Sequence, residues 1–184
     1  MAYPSKLSMP AILDAALTIL DREGRDALGM RALAESLSVR PASLYKHVGD
    51  LATLEAMVAE RVAEALRLAI DTAVSRRKTT AGGTRANLLA AADAYLSFAR
   101  TWPARYSMLA APYTQGQLDA RKALWNQLLQ LVDDCTAKID DTAGAVAVWA
   151  FLHGYVVLEQ SGMFGASGPH DGFARGITAL AVGL

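Results

Sequence analysis

The residues best suited to chemistry crowd into one short stretch, Arg40-Pro41-Ala42-Ser43-Leu44-Tyr45-Lys46-His47-Val48. Arg40, Ser43, Tyr45, Lys46 and His47 all carry hydrogen-bond donors, and no carboxylate falls between Arg40 and Gly49. Donors without acids suit anionic oxygens and the acceptor atoms of base edges. Pro41 has the fixed φ of a first helical turn, so the spacing predicts a helix starting there. At about 100° per residue, Leu44 and Val48 share one face with Pro41 beside them. Ala42, Ser43 and Lys46 take the opposite face, and Tyr45 and His47 the flanks. The segment Met30–Leu37 carries its own apolar row at Leu33, Ala34 and Leu37. Two short helices joined by a tight turn read as a helix-turn-helix. Small residues would let the second helix enter a major groove, with Ser43 and Lys46 donating to bases and Tyr45 and His47 facing phosphates. A short surface helix with a solvated polar face is the alternative, because the pattern is degenerate.

Other elements must hold this stretch out. Ser8 is placed to cap a helix with Pro10 in its first turn, and Gly24 ends the apolar row Ile12, Leu13, Ala16, Leu17, Ile19 and Leu20. That row would pack on Leu33, Leu37, Leu44 and Val48. Asp50 is placed to cap a long helix running to about Val74, a strut between the head and the remainder. Ser75–Gly83 reads as a loop, and its three cations as a solvated tip. Thr84 is placed to cap the next helix, which ends before Pro103. A short helix from Pro103 follows, terminated by Pro112, and then a helix over Gln117–Cys135. The run Ala143–Leu158 is apolar nearly all round, which implies a helix that is central or covered from both sides. Its 16 residues fall short of the roughly 20 of a membrane span. A last helix is expected from near Pro169, striped by Phe173, Ile177, Leu180, Ala181 and Leu184. Gly176 would permit close helix approach. Period-two alternation is absent, so the expected class is all-α.

Composition bounds the function. Of 184 residues, 53% are apolar and 20% charged, and 18 Lys plus Arg balance 18 Asp plus Glu. A sizeable core is implied, and any positive field must be local. The cation patch at Arg40 and Lys46 is modest, so specific DNA binding would need a dimer to double the contacts. The single cysteine, Cys135, excludes an internal disulfide. The amino terminus has no signal-peptide pattern, which points to the cytoplasm.

Leu28-Gly29-Met30-Arg31-Ala32-Leu33-Ala34, then Val39, then Leu44-Tyr45-Lys46-His47-Val48, resembles the DNA-binding domain of TetR-family transcriptional regulators. The resemblance covers roughly the first sixty residues. It implies that Tyr45 and His47 contact phosphates and that Ala42, Ser43 and Lys46 read bases; Arg31 and Arg40 are further DNA-binding candidates. The chain departs from the family pattern at several positions. Gly29 stands where Ser or Thr usually caps, Ser38 replaces a turn Gly, and Arg40 replaces a capping Ser. Val48 replaces an aromatic, and Leu51 a phosphate-binding Lys. Trp149-Ala150-Phe151-Leu152-His153-Gly154, with Leu158-Glu159 following, resembles the carboxy-terminal domain of the subgroup named for its Trp-His-Gly signature. Spanning roughly Asn87 to Leu184, that likeness implies a helical effector-binding and dimerisation domain. The expected division is a DNA-binding domain over 1–50 and an effector and dimerisation domain over 51–184.

Together these readings give a homodimeric, ligand-responsive regulator, a repressor, on a palindromic operator of double-stranded DNA, with no cofactor, metal or membrane. The aromatics gathered in the second half are candidates for a small-molecule site: Tyr95, Trp102, Tyr106, Trp125 and Trp149, with His153. Core packing is the alternative for each. His153 reads as a carbonyl-bonded core histidine, a polar anchor in a cavity, or a metal ligand. Glu159 lies about 120° round the helix from His153, so the two do not form a helical metal pair. No phosphate-binding Gly loop, catalytic triad or Glu-x-x-His pattern supports an enzyme. A helical-bundle enzyme and a helical adaptor that does not bind DNA remain the rival classes.

Overall fold

A computed structural model describes residues 7–77, 83–110, 119–165, 168 and 171–183. Every regular element among the described residues is helical. Backbone contacts divide the chain into two units, Met1–Ala63 with Ala104–Ala120, and Glu64–Pro103 with Arg121–Leu184.

The first unit opens with helix α1, Met9–Glu23, where the Ser8 hydroxyl accepts the Ala11 N–H at 3.4 Å and Gly24 closes the helix at φ 86°. Helix α2, Met30–Ser36, starts after Gly29, which offers no side chain to its free N–H groups. Helix α3 spans Pro41–Val48, with Pro41 in its first turn. Between α2 and α3, Ser38 is forced to φ 54°, the left-handed conformation that glycine would adopt without strain. Ile12, Ala16, Leu20, Leu33, Leu44 and Val48 are each exposed by 2% or less, so the three helices close one core. Leu37 is only half-buried. Helix α4, Leu51–Arg77, follows, and Asp50 accepts the Thr53 N–H at 2.7 Å.

A distant segment completes this unit. Helix α6, Pro103–Ser107, runs into a 3-10 turn over Met108–Ala110. Arg105 forks onto the Asp21 carboxylate, Nε to Oδ1 at 2.7 Å, and Arg25 Nη1 donates to the Ser107 carbonyl at 3.2 Å. Tyr106 and Met108 are buried beside these contacts in the chain.

The second unit contains the rest of α4, then α5 (Thr84–Thr101), most of α7 (Asp119–Thr136), α8 (Thr142–Gln160) and α9 (Gly172–Gly183). Several boundaries differ from expectation. Ser75–Arg77 continue α4 instead of starting a loop, and residues 78–82 lie outside the described residues. Gly83, not Thr84, is the cap of α5; its backbone is extended while Thr84 is already helical. The expected stop at Pro112 and the start at Gln117 lie outside the described residues, and the last helix starts at Gly172.

Helix α8 extends the expected apolar run at both ends. Asp141 caps it by accepting the Gly144 N–H at 3.1 Å. It runs 19 residues with hydropathy 1.3, long and apolar enough by length and composition to cross a membrane. The chain itself covers one side of it. Gly144, Ala145, Val148, Leu152 and Val156 are buried, while Ala143, Val146, Ala147, Ala150, Val157 and Leu158 are exposed.

Arg100 on α5 forks onto Glu159 on α8 at 2.8 and 2.6 Å. Those hydrogen bonds hold the Glu159 carboxyl below its ordinary 4.5, outweighing the partial burial that raises it. Glu159 is thus a carboxylate satisfied by a neighbour. Gln160 Nε2 donates to the Ala99 carbonyl at 3.2 Å. Helices α8 and α9 approach closely at Gly176, where a Cβ would fall 2.4 Å from the Phe151 ring. That ring packs on Phe173, 5.7 Å between centroids, and Tyr155 packs on Phe173 at 5.0 Å.

Two stability predictions follow from these positions. Gly176→Ala must displace a ring held by other rings, and overpacking of this kind costs about 1–3 kcal/mol. Chemical denaturation should show that loss, and an unchanged midpoint would contradict the close approach. Ser38→Gly removes about 1–2 kcal/mol of left-handed strain against roughly 0.5–1 kcal/mol of added chain entropy. A small rise in midpoint is expected, and a fall would contradict the strain.

Candidate nucleic-acid interface and effector cavity

Helix α3 has eight residues and could not persist alone. Leu44 and Val48, 0% and 2% exposed, pin one side of it to the core. What remains outward is decided by that anchoring. Ala42 and Lys46 lie near the point diametrically opposite Leu44 and Val48, one turn apart, and both are exposed. Tyr45 is 50% exposed on one flank, His47 is exposed on the other, and Ser43 is half-buried beside it. Arg40, at the cap position, is exposed and makes no side-chain cap hydrogen bond.

Arg31 sits on the neighbouring α2, fully projecting, with Nε 3.0 Å from the Glu35 carboxylate. An ion pair so exposed contributes little, so it does not fix Arg31 in place. Beyond α3, Asp50 is spent on the α4 cap. The Thr53 backbone N–H, with help from its hydroxyl, holds the Asp50 carboxyl below its ordinary 3.8. The structure therefore brings Arg31, Arg40, Ala42, Tyr45, Lys46 and His47 to the surface of one compact unit, with Ser43 partly covered among them.

The six residues expected to form an effector site are not gathered in one place. Tyr95 and Trp149 line an enclosed space of about 20 Å³ in the second unit, together with Ile70, Leu88, Leu124 and Leu152 among others. Trp125 packs against Trp149, with centroids 5.9 Å apart and planes tilted by 53°. His153, one turn after Trp149, is half-buried. Trp102 instead borders an open groove of about 480 Å³ with Leu68 and Phe98, and Tyr106 belongs to the first unit. The aliphatic wall was overlooked because the expectation followed ring content. Leu124, Leu128 and Leu131 form the α7 side of this space. A space of 20 Å³ admits one water-sized sphere, so any larger guest must move these side chains. No group of His, Cys, Asp and Glu among the described residues could hold a metal.

A core-anchored short helix presenting donors, after a tight turn from another short helix, defines a helix-turn-helix DNA-binding protein. The comparisons agree. Residues 12–49 match the family model for bacterial regulatory proteins of the tetR family, and residues 88–180 match that for a tetracyclin repressor-like C-terminal domain. The chain is 31% identical over 190 residues to an uncharacterized HTH-type transcriptional regulator of Mycobacterium tuberculosis, covering 100% of this chain and 84% of that protein. A protein of unknown function from Rhodococcus sp. RHA1 superposes with TM-score 0.80 at 25% identity, covering 100% of this chain and 99% of that one. A TetR variant of Acinetobacter baumannii AYE in complex with minocycline gives TM-score 0.64 at 20% identity, over 97% and 96%. The chain belongs to the TetR family of bacterial transcriptional regulators; the enzyme and adaptor readings are set aside.

Tyr45→Phe should weaken binding to every duplex by a common factor, roughly fivefold for one hydrogen bond to a charged acceptor. The salt dependence should stay as it was, because a phenol carries no charge. Binding titrations on several duplexes check this, and a loss confined to one base position would contradict the phosphate role.

Proposed function

We propose that the chain acts in the cytoplasm as a homodimeric repressor that binds a palindromic operator with an affinity altered when a small apolar or aromatic effector enters its second unit. One observation carries the reading: the outward side of α8 is bare, apolar and free of charge, with Ala143, Val146, Ala147, Ala150, Val157 and Leu158 all exposed. Exposed apolar faces of this extent mark interaction surfaces, and small residues allow close approach of a second helix. Helix α9 adds a shallow face of Ala174, Thr178, Ala179 and Val182 bordered by Arg175. A second copy covering both would form an intermolecular four-helix bundle and would explain why α8 reads as membrane-like without a membrane.

Dimerisation would place two α3 helices in successive major grooves, about 34 Å apart. Residues 1–50 would carry DNA recognition and 51–184 effector binding and dimerisation. Arg31, Arg40, Tyr45 and His47 would bind phosphates, while Ala42, Ser43 and Lys46 face bases.

For the effector, Tyr95 and Trp149 with Trp125 supply aromatic surface, and His153 a polar group one turn away. Trp102 and Tyr106 lie elsewhere. The minocycline complex of the TetR neighbour supports a small-molecule response in this fold. Helix α4 contributes to both units, which makes it the natural carrier of the response. A coupling of about 1–3 kcal/mol would change DNA affinity roughly 5–150-fold. The Trp149–Gly154 signature accords with this assignment.

Ala150→Arg tests the dimer. It places a charge on the bare side of α8, where Ala150 is exposed. Light scattering should show the wild type as a dimer and the variant as a monomer, and mobility shift on DNA upstream of its own gene should show binding lost with it. A monomeric wild type that still binds tightly would overturn the proposal.

A further inference from the structure

The outward face of α3 offers a restricted chemical vocabulary. At its centre stand one ammonium, Lys46, and one methyl, Ala42, both exposed and one turn apart. No Asn, Gln, Asp or Glu lies between Ser36 and Gly49. The face therefore lacks the amide that pairs with adenine and the carboxylate that accepts from cytosine. Lys46 has three donors and no acceptor. In a major groove, guanine presents two adjacent acceptors, N7 and O6. Adenine sets a donor beside its N7, and thymine pairs its one acceptor with a methyl group. An ammonium at the middle of the face is thus best satisfied by guanine. The Ala42 methyl, about 6 Å along the helix, complements the C5-methyl of thymine roughly two base steps away.

We infer that each operator half-site contains a guanine whose N7 and O6 edge is read by Lys46, with a thymine about two steps away read by Ala42. The inference rests on the regulator reading above and specifies the bases that reading leaves open.

The test begins by selecting tight-binding duplexes from a random pool with the full-length chain. The selected half-sites should share a guanine and a thymine at that spacing. Replacing the guanine by 7-deazaguanine should weaken wild-type binding about fivefold or more. Lys46→Ala should bind the parent duplex more weakly and lose nothing further on that replacement, while Lys46→Arg keeps the sensitivity. Replacing the thymine by deoxyuridine should weaken the wild type and leave Ala42→Gly unaffected. Selected sites without a shared guanine, or equal 7-deazaguanine sensitivity in the wild type and Lys46→Ala, would overturn the inference while leaving the regulator reading intact. Recovery of no sequence-specific duplex at all would overturn both.

Discussion

The protein's function depends on the burial of two side chains, Leu44 and Val48, in a core they do not themselves create. An eight-residue helix with no capping side chain has little stability of its own. Its direction is imposed by Ile12, Ala16, Leu20 and Leu33, which are almost wholly shielded from water. Fixing two residues on one face fixes the azimuth of every other residue. Lys46 and Ala42 point outward because Leu44 and Val48 point inward. The turn is strained at Ser38, which is tolerated because the packed rows on either side determine the path.

The same unit recruits a segment from far along the chain. Arg105 and Arg25 tie α6 to α1 and its following turn, and the Arg105–Asp21 pair is partly shielded, at 23% exposure on each side. A bidentate pair with limited solvent exposure is directional as well as attractive. It holds α6 in one register on α1.

Much of this was legible from local chemistry. Ser8, Pro10, Gly24, Pro41 and Asp50 act within a turn of their own position, so their roles could be read without knowing any tertiary contact. The outer face of α3 was legible for the same reason, because helical geometry alone separates Leu44 and Val48 from Ala42 and Lys46. Gly176 was legible as a site of close approach, although not that Phe151 would fill it. Contacts between residues distant in sequence were not legible. Nothing near Arg105 announces Asp21, 84 residues away, so the discontinuous first unit was invisible. Helix α8 was legible as an apolar helix needing cover, but uniform hydropathy does not say which side the chain itself supplies. The aromatics misled because ring content is shared by core, groove and cavity. Tyr95, Trp102 and Tyr106 ended in three different places.

The central claim is that paired subunits hold two copies of α3 at the spacing of one DNA turn. Hydroxyl-radical footprinting of the full-length chain on a selected duplex measures that spacing directly. The account predicts two equivalent protected patches related by a two-fold axis, their centres about 10 base pairs apart or a multiple of that. A single patch, or two patches on opposite faces of the duplex, would contradict it.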